Sequence, residues 1–286
     1  MNPSILTEVF LPLSLAVIMF GMGLTLTWDD FRRILIYPKA VALGLVNQLL
    51  VLPAIAFWFC ISFELPAELA VGLMILAACP GGATSNLIAH LAKGDTALSV
   101  TLTAISSLIT VITIPIIVNF AIVYFIPGGE QKPLNVFGTV IAVLIITIVP
   151  VFIGMLVNKN RPLLALKLDR PFRIMSIVFF VAIIAAALLK ERANIAEYFS
   201  AVGPAALALN FATLILGYFS ARFLGLGKKQ SVTISIESGI QNGTLGITIA
   251  ATLLVNSQMA IPSAIYGLLM FGTATVLILL GNRIKV

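Results

Sequence analysis

Apolar and polar positions divide the chain into long apolar runs separated by short polar stretches. The runs fall at 9–26, 40–61, 67–92, 96–126, 134–157, 174–189, 205–224, 232–255 and 263–280. A helix of roughly 20 mostly apolar residues crosses the hydrocarbon core of a bilayer, so each run is read as a span. The pattern predicts an all-α polytopic membrane protein with nine transmembrane helices. The intervening stretches are expected to be loops, the longest basic one at 158–173 and one of mixed charge at 190–204. Residues 1–8 lack the basic segment that opens a secretory signal, so the first run is expected to be a retained span.

Two of the nine runs are interrupted. The third carries Cys79-Pro80-Gly81-Gly82 followed by Thr84-Ser85-Asn86, and the eighth carries Glu237-Ser238-Gly239-Ile240-Gln241-Asn242-Gly243. Proline removes a backbone donor and glycine weakens the helix, so these are expected breaks at mid-membrane depth. A lone proline would mean only a kink; two glycines and three polar side chains beside it argue for more. The two segments lie five spans apart and therefore cross in opposite senses, each break expected to end at an Asn (Asn86, Asn242). Gln48 and Asn210 sit at matching places in the second and seventh runs. Interrupted helices at corresponding positions of two inverted halves point to the binding site of a secondary transporter.

Composition agrees with the pattern. Of 286 residues 60% are hydrophobic and 10% charged, and mean hydropathy is +1.12, beyond what a water-facing surface tolerates. The net charge of +6 could signal nucleic acid, but its distribution does not. Alternate loops and termini hold 14 and 3 of the 17 Lys and Arg residues. By the positive-inside rule this puts the C-terminus in the cytoplasm and the N-terminus outside, with the lipid bilayer and no nucleic acid as partner. Cys60 and Cys79 both fall in apolar runs and make no disulfide framework. With His90 as the one histidine, a zinc or haem site is not expected. The sequence carries no G-x-S-x-G, H-E-x-x-H or Walker A pattern, so an enzyme is not expected either.

The chemistry concentrates at Glu237. No Lys, Arg or His occurs between Gln230 and Asn282, and an ionised group at that depth costs at least about 2.5–3.5 kcal/mol. Its neighbours offer oxygen instead of positive charge, which suits a small cation, and the flanking glycines let backbone carbonyls turn inward. Ser99, Thr103 and Ser106 recur at i, i+4 and i+7 and share one helix face. Three other readings stay open. Polar residues can simply glue helices together, hydroxyls can bond to the carbonyl one turn back, and a protonated Glu237 also escapes the charge penalty. An intramembrane general base would need a second carboxylate, a histidine or a metal-ligand set, which the spans lack.

The residues at this point resemble a known family. ACPGGATSN at 78–86, ESGIQNG at 237–243 and FGMGLTL at 20–26 are similar to motifs of the bile acid:sodium symporter family, and the match extends over essentially the whole chain. Bacterial members often have ten spans; this chain resembles the nine-span liver bile acid carriers in layout, and the resemblance points to a bacterial inner or plasma membrane. It implies an inverted repeat whose third and eighth spans cross, a core domain (about 40–126 and 205–282) and a panel domain (about 9–26 and 134–189). It implies a monomer that couples an organic anion to sodium by alternating access, without a cofactor.

Carried over by position, one sodium site would use Ser85, Asn86, Ser99, Thr103 and Glu237. A second would use Gln48, Glu237 and Gln241, with backbone carbonyls near Ser238 and Ile240. All these groups are oxygen ligands, as a hard cation needs. Ser99/Thr103 and Glu237/Gln241 are spaced to face one ion on a helix, whereas adjacent Ser85 and Asn86 require irregular backbone. Ala83-Thr84 stands where some members have Thr-Ala. Family substrates are organic anions, bile acids or smaller carboxylates such as pantoate, and the sequence does not select among them. A proton-coupled or uncoupled carrier of a related fold, of the arsenite or auxin type, is the alternative. Helices restarting after the breaks would aim their N-termini at mid-bilayer. The anionic group is therefore expected beside Thr84, Asn242 and Gly243.

Overall fold

A computed structural model describes residues 9–128 and 133–283. Among them every regular element is a helix. In chain order these are α1 (Leu11–Gly23), α2 (Trp28–Arg32), α3 (Pro38–Ser62), α4 (Ala67–Ala78), α5 (Ala83–Leu91), α6 (Thr96–Phe125), α7 (Val136–Asn160), α8 (Pro162–Lys190), α9 (Ile195–Phe223), α10 (Lys228–Gly239), α11 (Gly243–Leu253) and α12 (Ile261–Arg283). Six stretches are long and apolar enough to cross a membrane on their own, and α1 with the helix after it would make a seventh across an 80° bend. The chain is a multi-pass membrane protein. Its outward faces carry exposed apolar side chains such as Phe137, Phe219, Val123 and Leu13, the surface a lipid-immersed bundle presents.

Local chemistry sets the helix starts. Asp95 accepts the Leu98 amide at 3.1 Å and so caps α6, and Asn135 caps α7 through Gly138 at 2.9 Å. The stretch at 28–39, read as a loop, instead folds into α2 and a following 3₁₀ turn. Thr27 and Asp30 form a capping box there. Between α5 and α6, Lys93 takes a left-handed conformation (φ 57°). That tight turn packs on α10, where the Asp95 amide donates to Thr233 Oγ1 at 2.8 Å.

Two expected loops are helical. The basic stretch 158–173 is the end of α7, a break at Arg161 and the first three turns of α8, and much of 190–204 is the start of α9. Charged residues there mark helix turns that project beyond the apolar core, and composition alone does not separate those from coil. Two long spans contain a π-helical turn, at Asn47–Val51 in α3 and Leu144–Ile148 in α7. Such turns displace side chains that a regular helix would stack, and they recur at functional sites; Gln48 lies in the first.

Helices α1, α7 and α8 pack on one another. A Cβ at Gly23 would sit 2.2 Å from Val151 O and one at Gly154 would sit 2.5 Å from Phe20 O, so α1 and α7 cross at backbone contact. Phe20 packs against Phe172 of α8 with ring centroids 4.9 Å apart and planes tilted by 55°. Gly154→Ala must push the two backbones apart and should destabilise the protein by about 1–3 kcal/mol, the usual cost of overpacking. Gly272→Ala is the control, because nothing lies within 4 Å of its Cβ position. Thermal unfolding in detergent should show a lowered midpoint for the first variant alone; equal midpoints would remove the close-crossing argument.

Candidate functional site

Both interrupted spans are broken where the sequence places the breaks. Helix α4 ends at Ala78 and α5 begins at Ala83; α10 ends at Gly239 and α11 begins at Gly243. The extended residues between them meet in an antiparallel bridge, Gly81 against Gln241, and the Asn242 amide donates to Pro80 O at 3.0 Å. The two breaks thus satisfy part of each other's exposed backbone. Two carboxamides handle the rest in parallel fashion. Gln48 Nε2 donates to Cys79 O at 2.7 Å, and Asn210 Nδ2 donates to Gly239 O at 2.7 Å. Each binds the carbonyl at the end of the first half-helix, one for each break.

Glu237 lies in the last turn of α10 and is 4% exposed. Ser99 donates to its Oε1 at 2.5 Å and Thr103 donates to its Oε2 at 2.8 Å. The same two hydroxyls approach Asn86 Oδ1, at 2.9 and 3.1 Å. Ser85 Oγ stands 3.4 Å from Thr103 Oγ1 and spends its proton on Gly82 O at 2.8 Å. A hydroxyl has one proton to give. Two protons therefore face four acceptor contacts, and the cluster holds more oxygen lone pairs than donors. None of the ion pairs among the described residues involves Glu237. Gly81 makes the room: a Cβ there would sit 2.7 Å from Glu237 Oε2, 3.2 Å from Ser85 Oγ and 3.5 Å from Thr103 Oγ1. A group of three His, Cys, Asp or Glu able to hold a metal is absent among the described residues, so any cation here must accept hydroxyl and amide oxygens.

Several sequence expectations change in detail. Ser85 and Asn86 do not sit on irregular backbone. Gly82 caps α5 and both residues lie in its first turns, where Ser85 folds back on the cap and Asn86 reaches α6. The first break accordingly ends at Gly82, not at Asn86. Gln241 is not a helical partner of Glu237, because α10 has already ended. Its amide donates to Ser238 O at 2.9 Å and to Glu237 O at 3.4 Å. Gln241 Oε1 accepts from Gln48 Nε2 at 2.8 Å, and Gln241 Nε2 donates back to Gln48 Oε1 at 3.3 Å. The residues considered for a second ion thus form a closed amide knot. Ile240 is buried there and donates its own amide to Ile236 O at 2.8 Å. Ser106 stands apart from the cluster and bonds to Thr103 O at 3.2 Å.

Beside the cluster is a cavity of about 650 Å³, within the range of small-molecule sites. Thr84, Asn242 and Gly243 line it, as do Asn86 and Gln241. Asn242 has a second task, since its Oδ1 accepts the Leu245 amide at 3.0 Å and caps α11. Apolar residues of α1 and α8, among them Met19, Met22, Ile177 and Phe180, form the opposite wall. The lining extends to Thr25 and Thr96, at helix ends on the side of the Lys93-Gly94-Asp95 turn. On the far side of α11, where Leu11, Ile183, Ala187 and Ile247 meet, about 20 Å³ remains.

Tyr266 escaped the sequence reading. It is completely buried, donates to Gly239 O at 2.8 Å and accepts from Asn210 at 3.2 Å. Its only sequence signal is a phenol in the middle of an apolar run. Tyr266→Phe leaves Asn210 on the carbonyl and should cost about 1 kcal/mol, the net worth of one hydrogen bond. Asn210→Leu strips the direct amide bond and should cost more. Thermal midpoints of the two variants check that order; a larger loss for Tyr266→Phe would reverse the assignment.

Comparison with known proteins agrees with the motifs. Residues 12–198 match the model of the sodium bile acid symporter family. The chain is 33% identical over 266 residues to YocS of Bacillus subtilis, described as an uncharacterized sodium-dependent transporter, covering 92% of this chain and 81% of that one. It is 32% identical to a probable chloroplastic sodium/metabolite cotransporter of Oryza sativa, covering 91% of this chain and 60% of the longer plant protein. It is 29% identical to the ileal sodium/bile acid cotransporter of Homo sapiens, covering 86% of this chain and 70% of that one. These relatives are transporters and not enzymes. On the strength of the family match and of the long shared alignment, this chain belongs to the sodium bile acid symporter family.

Proposed function

We propose that the protein is a sodium-coupled symporter of an organic anion that works by alternating access. The observation that carries this reading is the oxygen-rich cluster around Glu237, short of protons and with no cationic side chain paired to the carboxylate among the described residues, at the meeting point of two broken helices and beside a cavity. One sodium ion among Ser85, Asn86, Ser99, Thr103 and Glu237 would supply the missing positive charge, and the lack of a side chain at Gly81, beside Glu237 Oε2 and Ser85 Oγ, supports that reading. A second ion would be held by Gln48, Glu237 and Gln241 with the carbonyls near Ser238 and Ile240. It requires the two glutamines to turn their oxygens inward and give up the bonds they now exchange. Sodium names recur among the relatives, one of them sodium/metabolite and one sodium/bile acid. That recurrence favours sodium over the proton that Glu237 could also take.

The substrate is assigned to the cavity, with Thr84, Asn242 and Gly243 contacting it. In this reading nine spans form an inverted repeat, the two broken spans crossing between α3 and α9. The core (about 40–126 and 205–282) moves against the panel (about 9–26 and 134–189). A single chain holds both breaks and the cavity, so a monomer in a bacterial cell membrane suffices. With the C-terminus cytoplasmic, the cavity opens inward in this conformation and the packed side around Ile183 and Ile247 is the closed outer path.

Two experiments test these statements. In proteoliposomes, uptake of an organic anion should require an inward sodium gradient, and Glu237→Ala should abolish that requirement's benefit without preventing insertion. Glu237→Gln keeps the shape, brings donors into a set that needs a cation, and should weaken sodium binding by about 10–100-fold, the worth of a charge-assisted contact. Wild-type binding that follows pH and ignores sodium would exclude the coupling ion. For orientation, Lys167→Cys and Arg192→Cys place single thiols at exposed sites in a background lacking Cys60 and Cys79. On intact cells an impermeant thiol reagent should label the Arg192 position and spare the Lys167 position; the opposite pattern would invert the topology.

A further inference from the structure

Among the described residues lining the cavity, Asp169 and Arg173 carry formal charges, and His90 of α5 is the one other titratable side chain. Both stand on α8, one turn apart, and Arg173 Nη2 lies 2.5 Å from Asp169 Oδ2. Composition reads their stretch as a loop; folded into α8, it places both residues on the cavity wall. The same helix face carries Ser176, Ile177 and Phe180 along the cavity wall. Phe180 marks the deep end, edge-to-face with Phe271 at a ring-centroid distance of 5.6 Å and 3.9 Å from the Cβ position of Gly243. Seven residues of helix at 1.5 Å each put Arg173 about 10 Å from Phe180 along the axis. The cavity therefore has uncharged polar groups at the broken-helix end, an apolar middle and a guanidinium toward the other end.

We propose that Arg173 is the cation that receives the anionic group of the substrate, and that Asp169 holds its place when the cavity is empty. The proposal rests on the reading of the protein as an organic-anion carrier. The Asp169–Arg173 pair suits exchange. The side chains are 29% and 54% exposed, and an ion pair in that setting is weak and easily replaced. A guanidinium presents five N–H donors in a fork that matches a carboxylate or sulfonate, and one of them is engaged by Asp169. The wall is neutral before binding; once the ligand's anion takes the guanidinium, Asp169 is released with its carboxylate partly in water, and its charge then opposes the ligand. A neutral ligand of the same shape gains nothing from Arg173. The anionic group thus sits at Arg173 instead of at the helix N-termini beside Thr84 and Asn242, which contact the other end of the ligand; the selected ligand is an anion with an apolar body.

The test is ligand binding to the purified protein in saturating sodium, with cholate and pantoate as probes and their methyl esters as uncharged counterparts. Arg173→Gln should weaken binding of the anion by about 10–100-fold and leave the ester within about twofold. Arg173→Lys should retain part of the affinity. Asp169→Asn frees the guanidinium and should strengthen anion binding severalfold. The opposite signs of the two variants separate recognition from a structural ion pair, which both would break alike. Equal effects of Arg173→Gln and Asp169→Asn, or equal losses for anion and ester, would overturn the proposal. Wild-type protein that binds anion and ester equally would remove Arg173's role while leaving a sodium-coupled carrier. Wild-type protein that binds neither anion with sodium present would remove the anion reading and this inference with it.

Discussion

A broken helix inside a membrane leaves backbone carbonyls and amides that no water will satisfy, and this protein contains two such breaks facing each other. Their mutual pairing is the interaction on which the rest depends. The Gly81–Gln241 bridge and the Asn242–Pro80 bond join the breaks, while Gln48 and Asn210, one on each side, bind the carbonyls of Cys79 and Gly239. Remove that cross-bracing and neither α5 nor α11 has a fixed starting point. Glu237 belongs to the same junction, and its carboxylate is held by hydroxyls of α6, a third helix. The cluster therefore joins α5, α6 and α10, and an ion held there as proposed would couple its occupancy to the geometry of the junction.

Around the junction the two groups of helices differ in construction. Three of the helices that flank the breaks, α4, α10 and α11, have few accessible residues. By contrast, α8 buries only Ala165, Ile183 and Ile184 and presents most of its surface outward or to the cavity. The close glycine crossing of α1 and α7 locks the second group internally. The boundary between the groups is formed by separable side-chain contacts such as Phe180 on Phe271.

Much of this was legible in the sequence because a membrane imposes simple rules. Apolar run length marks spans, alternation of Lys and Arg gives a sidedness, and glycine, proline and polar residues inside an apolar run mark a break that costs too much to occur by default. A buried carboxylate without a cation needs oxygen-rich company, and Ser99 and Thr103 one turn apart on another span supplied it. Those inferences depend on residue type and local spacing, which a sequence contains. Helix ends were the weaker part. Charged turns at 158–173 and 190–204 look like loops by composition, although they continue the spans beyond the apolar core.

Tertiary structure decided what faces what. Sequence spacing put Gln241 one turn from Glu237, yet α10 ends at Gly239, and the amide turns to Gln48 on another helix. Asn86 appeared to close the first break, whereas Gly82 does so and Asn86 is free to reach α6. Tyr266 became a brace and Arg173 part of the cavity wall only because α12 and α8 were brought to the junction by packing. Contacts between residues far apart in the chain depend on helix register and crossing, and one local sequence pattern is compatible with many of those. The sequence by itself determined a multi-pass bundle with two polar breaks and a buried acid. Packing determined which oxygens gather around that acid and which cation looks into the cavity beside it.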